Sequence, residues 1–277
     1  MNRKLVRGRF LLIYQMPKTG SQTVEATLQQ CRLPHRVIRF HFLSPHIAQA
    51  MKKALLSKQA TEEWKGHARA QLEGIKEIRR IIWWRKWLTL LGPIVPKLEI
   101  ITGLREVIGL GLSSVFENHG FLFPNLASAS VETCRSELLR PNVLNNIQNW
   151  FDLEIKPVLD IDVYATPFPQ TKRYAVYENR FARLLLYRSD GLQLLPNMLA
   201  EFLDCEVPSV VNRNIGSSKD YGVAYESVKS RFRMPADYVR AQYNSKMMRH
   251  FYSDAERRAF IDRWAEEVPS TKDPLAA

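Results

Sequence analysis

The chain has 277 residues, 45% hydrophobic and 25% charged, which are the proportions of an ordinary globular protein with enough length to bury a core. Its formal net charge of +12 excludes indifference to charge: the partner is anionic, whether nucleic acid, membrane surface, small molecule or polymer. Three widely spaced cysteines (Cys31, Cys134, Cys205) argue against a disulfide or zinc framework and fit a reducing compartment.

Met1 to Arg9 is basic, but the apolar run behind it is too short for a signal peptide. Phe10-Leu-Leu-Ile-Tyr14 reads as a strand buried on both faces, which Pro17 stops because it has no N–H for a sheet ladder. From Ser21 the period changes, with Val24, Leu28 and Cys31 on one helical face. His35 to Leu43 is a second short apolar segment. Residues from about Pro45 to Leu91 read as helices, Trp64, Ala68, Leu72, Ile75, Ile78 and Ile82 sharing a buried face, and Gly92-Pro93 ends them. The greasiest stretch, Ile81 to Leu104, is interrupted by Arg85, Lys86, Pro93, Pro96, Lys97 and Glu99, so it lacks the ~20 apolar residues that span a bilayer. A soluble, cytoplasmic protein is expected.

Leu98 to Thr102 is another buried strand, running through Gly103 to Arg105. A helix follows to about Asn118, although Gly109 and Gly111 each cost it ~1 kcal/mol relative to alanine. Arg183 to Arg188 reads as a third buried strand and Pro196 to Leu203 as the helix after it. Residues 44–97 form a mostly helical segment, 268–277 a frayed tail. Without a repeat, linker or composition shift, 1–277 reads as one domain. Strands alternating with helices predict an α/β fold, with a central, mostly parallel sheet flanked by helices.

The loop Pro17-Lys-Thr-Gly-Ser-Gln-Thr23 lies between the first strand and its helix. In a parallel sheet such loops sit where ligands bind, and the unpartnered amides that open a helix attract anions. Gly20 lets the backbone approach a ligand, Lys18 adds charge, and Ser21 and Thr23 add hydroxyls. Taken alone, these residues also make an ordinary turn and helix cap. The nucleotide triphosphatase loop is excluded, because it needs Gly-x-x-x-x-Gly-Lys-Ser/Thr and here the lysine precedes the glycine.

The order strand, Pro-Lys-Thr-Gly-Ser-x-Thr, helix resembles the 5′-phosphosulfate loop of sulfotransferases that use 3′-phosphoadenosine 5′-phosphosulfate. In that family a second motif follows: an arginine ending a strand and a serine eight residues later, which bind the 3′-phosphate. Arg105 and Ser113, in "LREVIGLGLSSVFEN", have that spacing. "LLLYRSDGLQLLPNMLAEFL" is similar to the strand-turn-helix that follows in the superfamily. "WFDLEIKPVLDIDVYATPFP" and "YNSKMMRHFYSDAE" are similar to a bacterial branch labelled capsular polysaccharide synthesis proteins. The chain departs from the pattern at Val107 and Leu110, where the family usually has a proline and often a second base.

The resemblance implies a P-loop-like sulfotransferase fold and transfer of a sulfuryl group from 3′-phosphoadenosine 5′-phosphosulfate to a hydroxyl, most naturally of a carbohydrate or capsular polysaccharide. Lys18, Thr19, Gly20, Ser21, Gln22 and Thr23 would hold the 5′ end, and Arg105 and Ser113 the 3′-phosphate. Lys219, in "NIGSSKDY", either replaces the missing base or is a solvated loop lysine. Lys18 would also be catalytic. His41, in "IRFHFLS", would be the general base, since related polysaccharide sulfotransferases carry a histidine in a similar His-Phe-Leu setting. His35, His46, His67, His119 and His250 have weaker claims.

Two features stand apart. Arg79-Arg-Ile-Ile-Trp83-Trp84-Arg85-Lys86-Trp87 is either an amphipathic helix with tryptophans inward and a solvated basic face, or a surface for glycan stacking or peripheral membrane contact. Asp160-Ile-Asp162 could hold a divalent metal, but no metal-spaced set accompanies it, so no metal is expected. The expected partners are the nucleotide co-substrate and a glycan hydroxyl acceptor, not nucleic acid. The competing readings are a kinase-like nucleotide transferase and a non-catalytic basic polyanion-binding protein.

Overall fold

The computed structural model describes residues 10–31, 33–56, 62–90, 96–117, 129–213 and 219–267. The predicted tail, His119 and the side chains of Trp64 and His67 lie outside what it describes. Contacts group the chain into two compact units, Met1–Arg105 with Asn149–Asn214, and Glu106–Gln148 with Ile215–Ala277.

The first unit is α/β. Its five strands are β1 (Phe10–Tyr14), β2 (Arg36–Phe40), β3 (Leu98–Leu104), β4 (Tyr174–Glu178) and β5 (Ala182–Arg188). They form one sheet in the order β2-β1-β3-β5-β4. The pairs β1–β2, β1–β3 and β3–β5 are parallel, and only β4 is antiparallel. The apolar runs of β1, β3 and β5 are central and buried, as wholly apolar strands must be. Alternation sends Leu11, Ile13, Ile101 and Leu185 to one face, where helices Ser21–Leu28 and Leu195–Leu203 cover them with Val24, Leu28, Met198 and Leu199.

Helices Pro45–Leu55 and Glu62–Thr89 fill the predicted helical segment. On the second of these Ala68, Leu72, Ile75, Ile78 and Ile82 are buried as the spacing requires, joined by Ile81. β4 is the strand that the sequence reading did not anticipate. It is a half-buried edge strand, turned back by Asn179, whose Oδ1 accepts from the amides of Phe181 (3.1 Å) and Ala182 (3.0 Å).

The second unit is helical among the described residues. Helix Val107–Glu117 is its most buried element; Val107, Ile108, Leu110 and Leu112 are all core residues. The apolar residues at 107 and 110 therefore have a packing role. Phe116 meets the rings of Tyr221 (5.9 Å) and Tyr225 (5.3 Å), and the Tyr243 hydroxyl donates to Glu106.

Candidate active site

The chain leaves β1 for β2 on one side and returns to β3 on the other, so the sheet changes direction between β1 and β3. In α/β sheets that crevice, beyond the carboxyl ends of the strands, is where ligands bind. The loop carrying Lys18 follows β1, His41 follows β2 and Arg105 follows β3. Because these three strands are parallel neighbours, the three candidates leave the sheet at one edge.

The loop is built for its shape. Lys18 (φ 66°) and Gly20 (φ 97°) are both left-handed, so the backbone turns sharply twice before the helix. Gly20 is the helix N-cap and supplies no side-chain cap. A Cβ there would lie 2.8 Å from Leu192 Cδ1 as well as forcing a strained φ, so glycine is required. The Thr19 hydroxyl donates to the Met16 carbonyl (2.7 Å) and accepts from Gln15 Nε2 (2.9 Å), holding the loop together from within. Tyr187, near the end of β5, buttresses it: its hydroxyl lies 2.9 Å from the Thr19 carbonyl oxygen and 3.2 Å from Gln15 Oε1, and its one proton serves these two acceptors. The ring fits because β3 has glycine at 103, where a Cβ would come within 2.6 Å of it.

The two threonines therefore shape the site from within it. Thr23 Oγ1 donates to the Arg213 carbonyl (3.2 Å) and accepts from its amide (3.3 Å), tying the helix to the chain there. Ser21 is buried, with Oγ 3.5 Å from an Arg39 guanidinium nitrogen, and Gln22 is exposed. The first amides of the helix have no carbonyl one turn earlier to bond, and Val24 makes the first intrahelical bond, to Gly20 (3.0 Å).

His41 is held against this loop. Its Nδ1 is 2.9 Å from the Gln15 carbonyl oxygen, which can only accept, so Nδ1 carries the proton and Nε2 the lone pair. Burial pushes its pKa below the ordinary histidine value; the bond to Gln15 opposes this, and the Arg39 charge reinforces it. Arg39 is itself paired with Glu25 (3.2 Å). His41, Arg39, Phe40, Phe42, Gln71 and Ile75 line a cavity of about 250 Å³.

The segment after His41 is fixed by a carboxylate that sequence reasoning missed. Glu154, 1% exposed in the π-helical turn Phe151–Ile155, accepts from the Tyr14 hydroxyl (2.5 Å), the amides of Leu43 (2.8 Å) and Ser44 (2.9 Å) and the Ser44 hydroxyl (2.5 Å). Burial, with the negative charge of Glu154, raises the Tyr14 pKa well above that of a free phenol.

Arg105 is half-buried at the end of β3. Ser113 and Lys219 belong to the second unit. Ser113 stands one turn before Glu117 on the same helix face, and Glu117 accepts from Lys219 Nζ (2.6 Å) and the Tyr221 hydroxyl (2.6 Å). Lys219 is thus partnered by Glu117, which lies on the helix that carries Ser113.

The remaining histidines and acids take other parts. His35 Nε2 pairs with Glu99 (2.6 Å) beside a cavity of about 420 Å³ at the amino edge of the sheet, away from the crevice. His46 is exposed, and His250 packs edge-on against Phe251. Asp160 pairs with Lys86, and Asp162 with Lys156 (2.7 Å). No group of three or more metal-binding side chains occurs among the described residues.

Comparison with known proteins gives one result. Searches of curated proteins and of solved structures return no match. Residues 130–253, a span that includes Glu154, Tyr187 and Lys219 but not Lys18, His41, Arg105 or Ser113, match the NKWYS family, whose description reads "putative capsular polysaccharide synthesis protein".

Proposed function

We propose that this protein is a sulfotransferase of P-loop-like fold, moving a sulfuryl group from 3′-phosphoadenosine 5′-phosphosulfate to a carbohydrate hydroxyl, with capsular polysaccharide as the acceptor class. The observation that carries the reading is the placement of the Lys18 loop, His41 and Arg105 at the carboxyl ends of three adjacent parallel strands, on the edge where the sheet changes direction. The family description of residues 130–253 supports the acceptor class, and the motif order supports the donor.

The parts divide naturally. The opening amides of helix Ser21–Leu28 and the Lys18 ammonium receive the 5′-phosphosulfate, an anion that suits an uncapped helix start. Arg105 receives the 3′-phosphate. The acceptor oxygen attacks sulfur in line as the sulfur–oxygen bond to the phosphate breaks. His41 Nε2 takes the acceptor proton, and Lys18 neutralises the charge that develops on the bridging oxygen. The products are the sulfated acceptor and adenosine 3′,5′-bisphosphate.

Calorimetry tests the donor assignment. Adenosine 3′,5′-bisphosphate should bind and raise the thermal midpoint, since a ligand of the folded state alone stabilises it. Arg105→Ala should lose more affinity for the bisphosphate than for adenosine 5′-phosphate. Equal losses for the two would sink the assignment, because a 3′-phosphate contact cannot matter to a ligand without that group. Binding of ATP without the bisphosphate would point to a kinase-like transferase instead.

A further inference from the structure

Helix Glu62–Thr89 buries one face and, among the described residues, leaves large apolar side chains of the other exposed at its C-terminal end. Trp83 is 56% exposed and Trp87 45%, and Leu90, just past the helix, is 67% exposed. Their spacing of four and then three residues places them in one stripe, one above the other. Trp84 braces the stripe from the side, its ring edge-on to Trp83 (5.0 Å) and Trp87 (5.8 Å). The packing of tryptophans inward is thus corrected. The buried positions here are Ile78, Ile81, Ile82 and Arg85, because the helical period assigns 83 and 87 to the opposite face.

The charge along this stretch of the sequence has one sign. From Ile78 to Leu98 the sequence contains Arg79, Arg80, Arg85, Lys86 and Lys97 and neither aspartate nor glutamate. Arg85 is buried, where desolvation lowers its pKa to about 10, and it donates to the Pro96 carbonyl (3.0 Å). Lys86 pairs with Asp160 and Lys97 with Glu178. The outward bases are Arg79 and Arg80, both exposed, one turn before Trp83.

We propose that the stripe formed by Arg79, Arg80, Trp83, Trp87 and Leu90 docks the protein on an anionic phospholipid surface. Indole rings prefer the boundary between headgroups and acyl chains, where an apolar ring and a polar N–H are both accommodated, and guanidinium groups one turn away meet the lipid phosphates. With no acid in the stretch itself, and with Asp160 and Glu178 paired to Lys86 and Lys97, little repulsion opposes an anionic bilayer. A glycan-stacking site fits less well, because residues 78 to 91 contain no carboxylate or amide side chain to bond sugar hydroxyls. No helix of the described residues is long and apolar enough to cross a membrane, so the contact is peripheral.

The test is flotation of the full chain with vesicles of equal parts phosphatidylglycerol and phosphatidylcholine, beside vesicles of phosphatidylcholine alone. Partition into the mixed vesicles should exceed that into the neutral ones by about tenfold or more and should fall as salt is raised. Replacing both rings (Trp83→Ser with Trp87→Ser) should reduce partition by roughly tenfold or more. Arg79→Gln and Arg80→Gln should each reduce it about fivefold, on mixed vesicles only. These side chains are exposed, so the variants should keep the wild-type thermal midpoint. Quenching of wild-type tryptophan emission by bromine-labelled phosphatidylglycerol needs no variant and should be evident. Absence of partition, or equal partition by the double tryptophan variant, would overturn the proposal. It would also be overturned by binding to dextran sulfate but not to vesicles, or by self-association that the tryptophan variants abolish; these outcomes would assign the stripe to a polyanion or to a second copy of the chain. The nucleotide calorimetry is independent of all of these results.

Discussion

A half-buried histidine beside an arginine is a poor place for a second positive charge. At His41, desolvation and the Arg39 charge together outweigh the bond to Gln15, so the ring is neutral at pH 7 with its lone pair on Nε2. Turnover should therefore be flat through neutrality and fall only on the acid side, below the ordinary histidine value. His41→Ala should cost ~10²–10⁴-fold in turnover and remove that acid limb, while affinity for adenosine 3′,5′-bisphosphate stays near wild type. Wild-type turnover by this variant would place the base elsewhere. The same shift enters stability with a defined sign. The unfolded chain takes up the proton at a higher pH than the native one, so this contribution is complete above the unfolded value and is lost as pH falls from there through the native pKa. Lys18 should act differently. Charge appears on the bridging oxygen only as the bond breaks, so Lys18→Ala should lower kcat by ~10²-fold or more. A variant with raised KM and unchanged kcat would show ordinary substrate binding instead.

Among the elements, the loop after β1 and the segment after β2 are held by side chains from far along the chain. Tyr187 reaches the loop from β5, and Glu154 reaches Tyr14, Leu43 and Ser44 from the π-helical turn. Glu154→Ala would leave two buried amides and two hydroxyls unpaired, each costing about 1–3 kcal/mol, so the summed loss should reach ~4 kcal/mol or more. Glu154→Gln keeps one carbonyl acceptor and should cost less. Chemical denaturation measures both, and an alanine variant as stable as wild type would show that the network contributes nothing. These partners explain which parts of the site were legible. β1, β3 and β5 are continuous apolar runs and announce themselves, and Lys18, Gly20 and Arg105 follow directly from where those runs stop. Glu154 and Tyr187 gave no local signal, because a buried acid and a strand tyrosine take their meaning from residues more than a hundred positions away. Gly103 was the one available hint, since glycine inside a buried strand marks close approach by another group. β4 escaped because an edge strand of half-buried alternating residues looks like a loop.

Across the whole molecule, a formal charge of +12 acts at distances that no single contact reaches. The grouping of 106–148 with 215–277 has no marker of its own, as the chain runs from Arg105 to Glu106 without a linker or change of composition. The sign of the charge, in contrast, was legible from the first count of residues. A net positive field draws a polyanionic nucleotide toward the protein and speeds encounter by ~10–10³-fold at low salt. Raising ionic strength shortens the reach of that field from ~30 Å at 0.01 M to ~3 Å at 1 M. The association rate of adenosine 3′,5′-bisphosphate, followed by stopped flow, should therefore fall by about tenfold or more over that range, while dissociation, governed by close contacts, changes less. Uncharged adenosine supplies the control, since its association should be nearly independent of salt. If the bisphosphate associates at the same rate throughout, the excess basic residues do not steer the donor. Their anionic partner would then be the acceptor or the lipid surface.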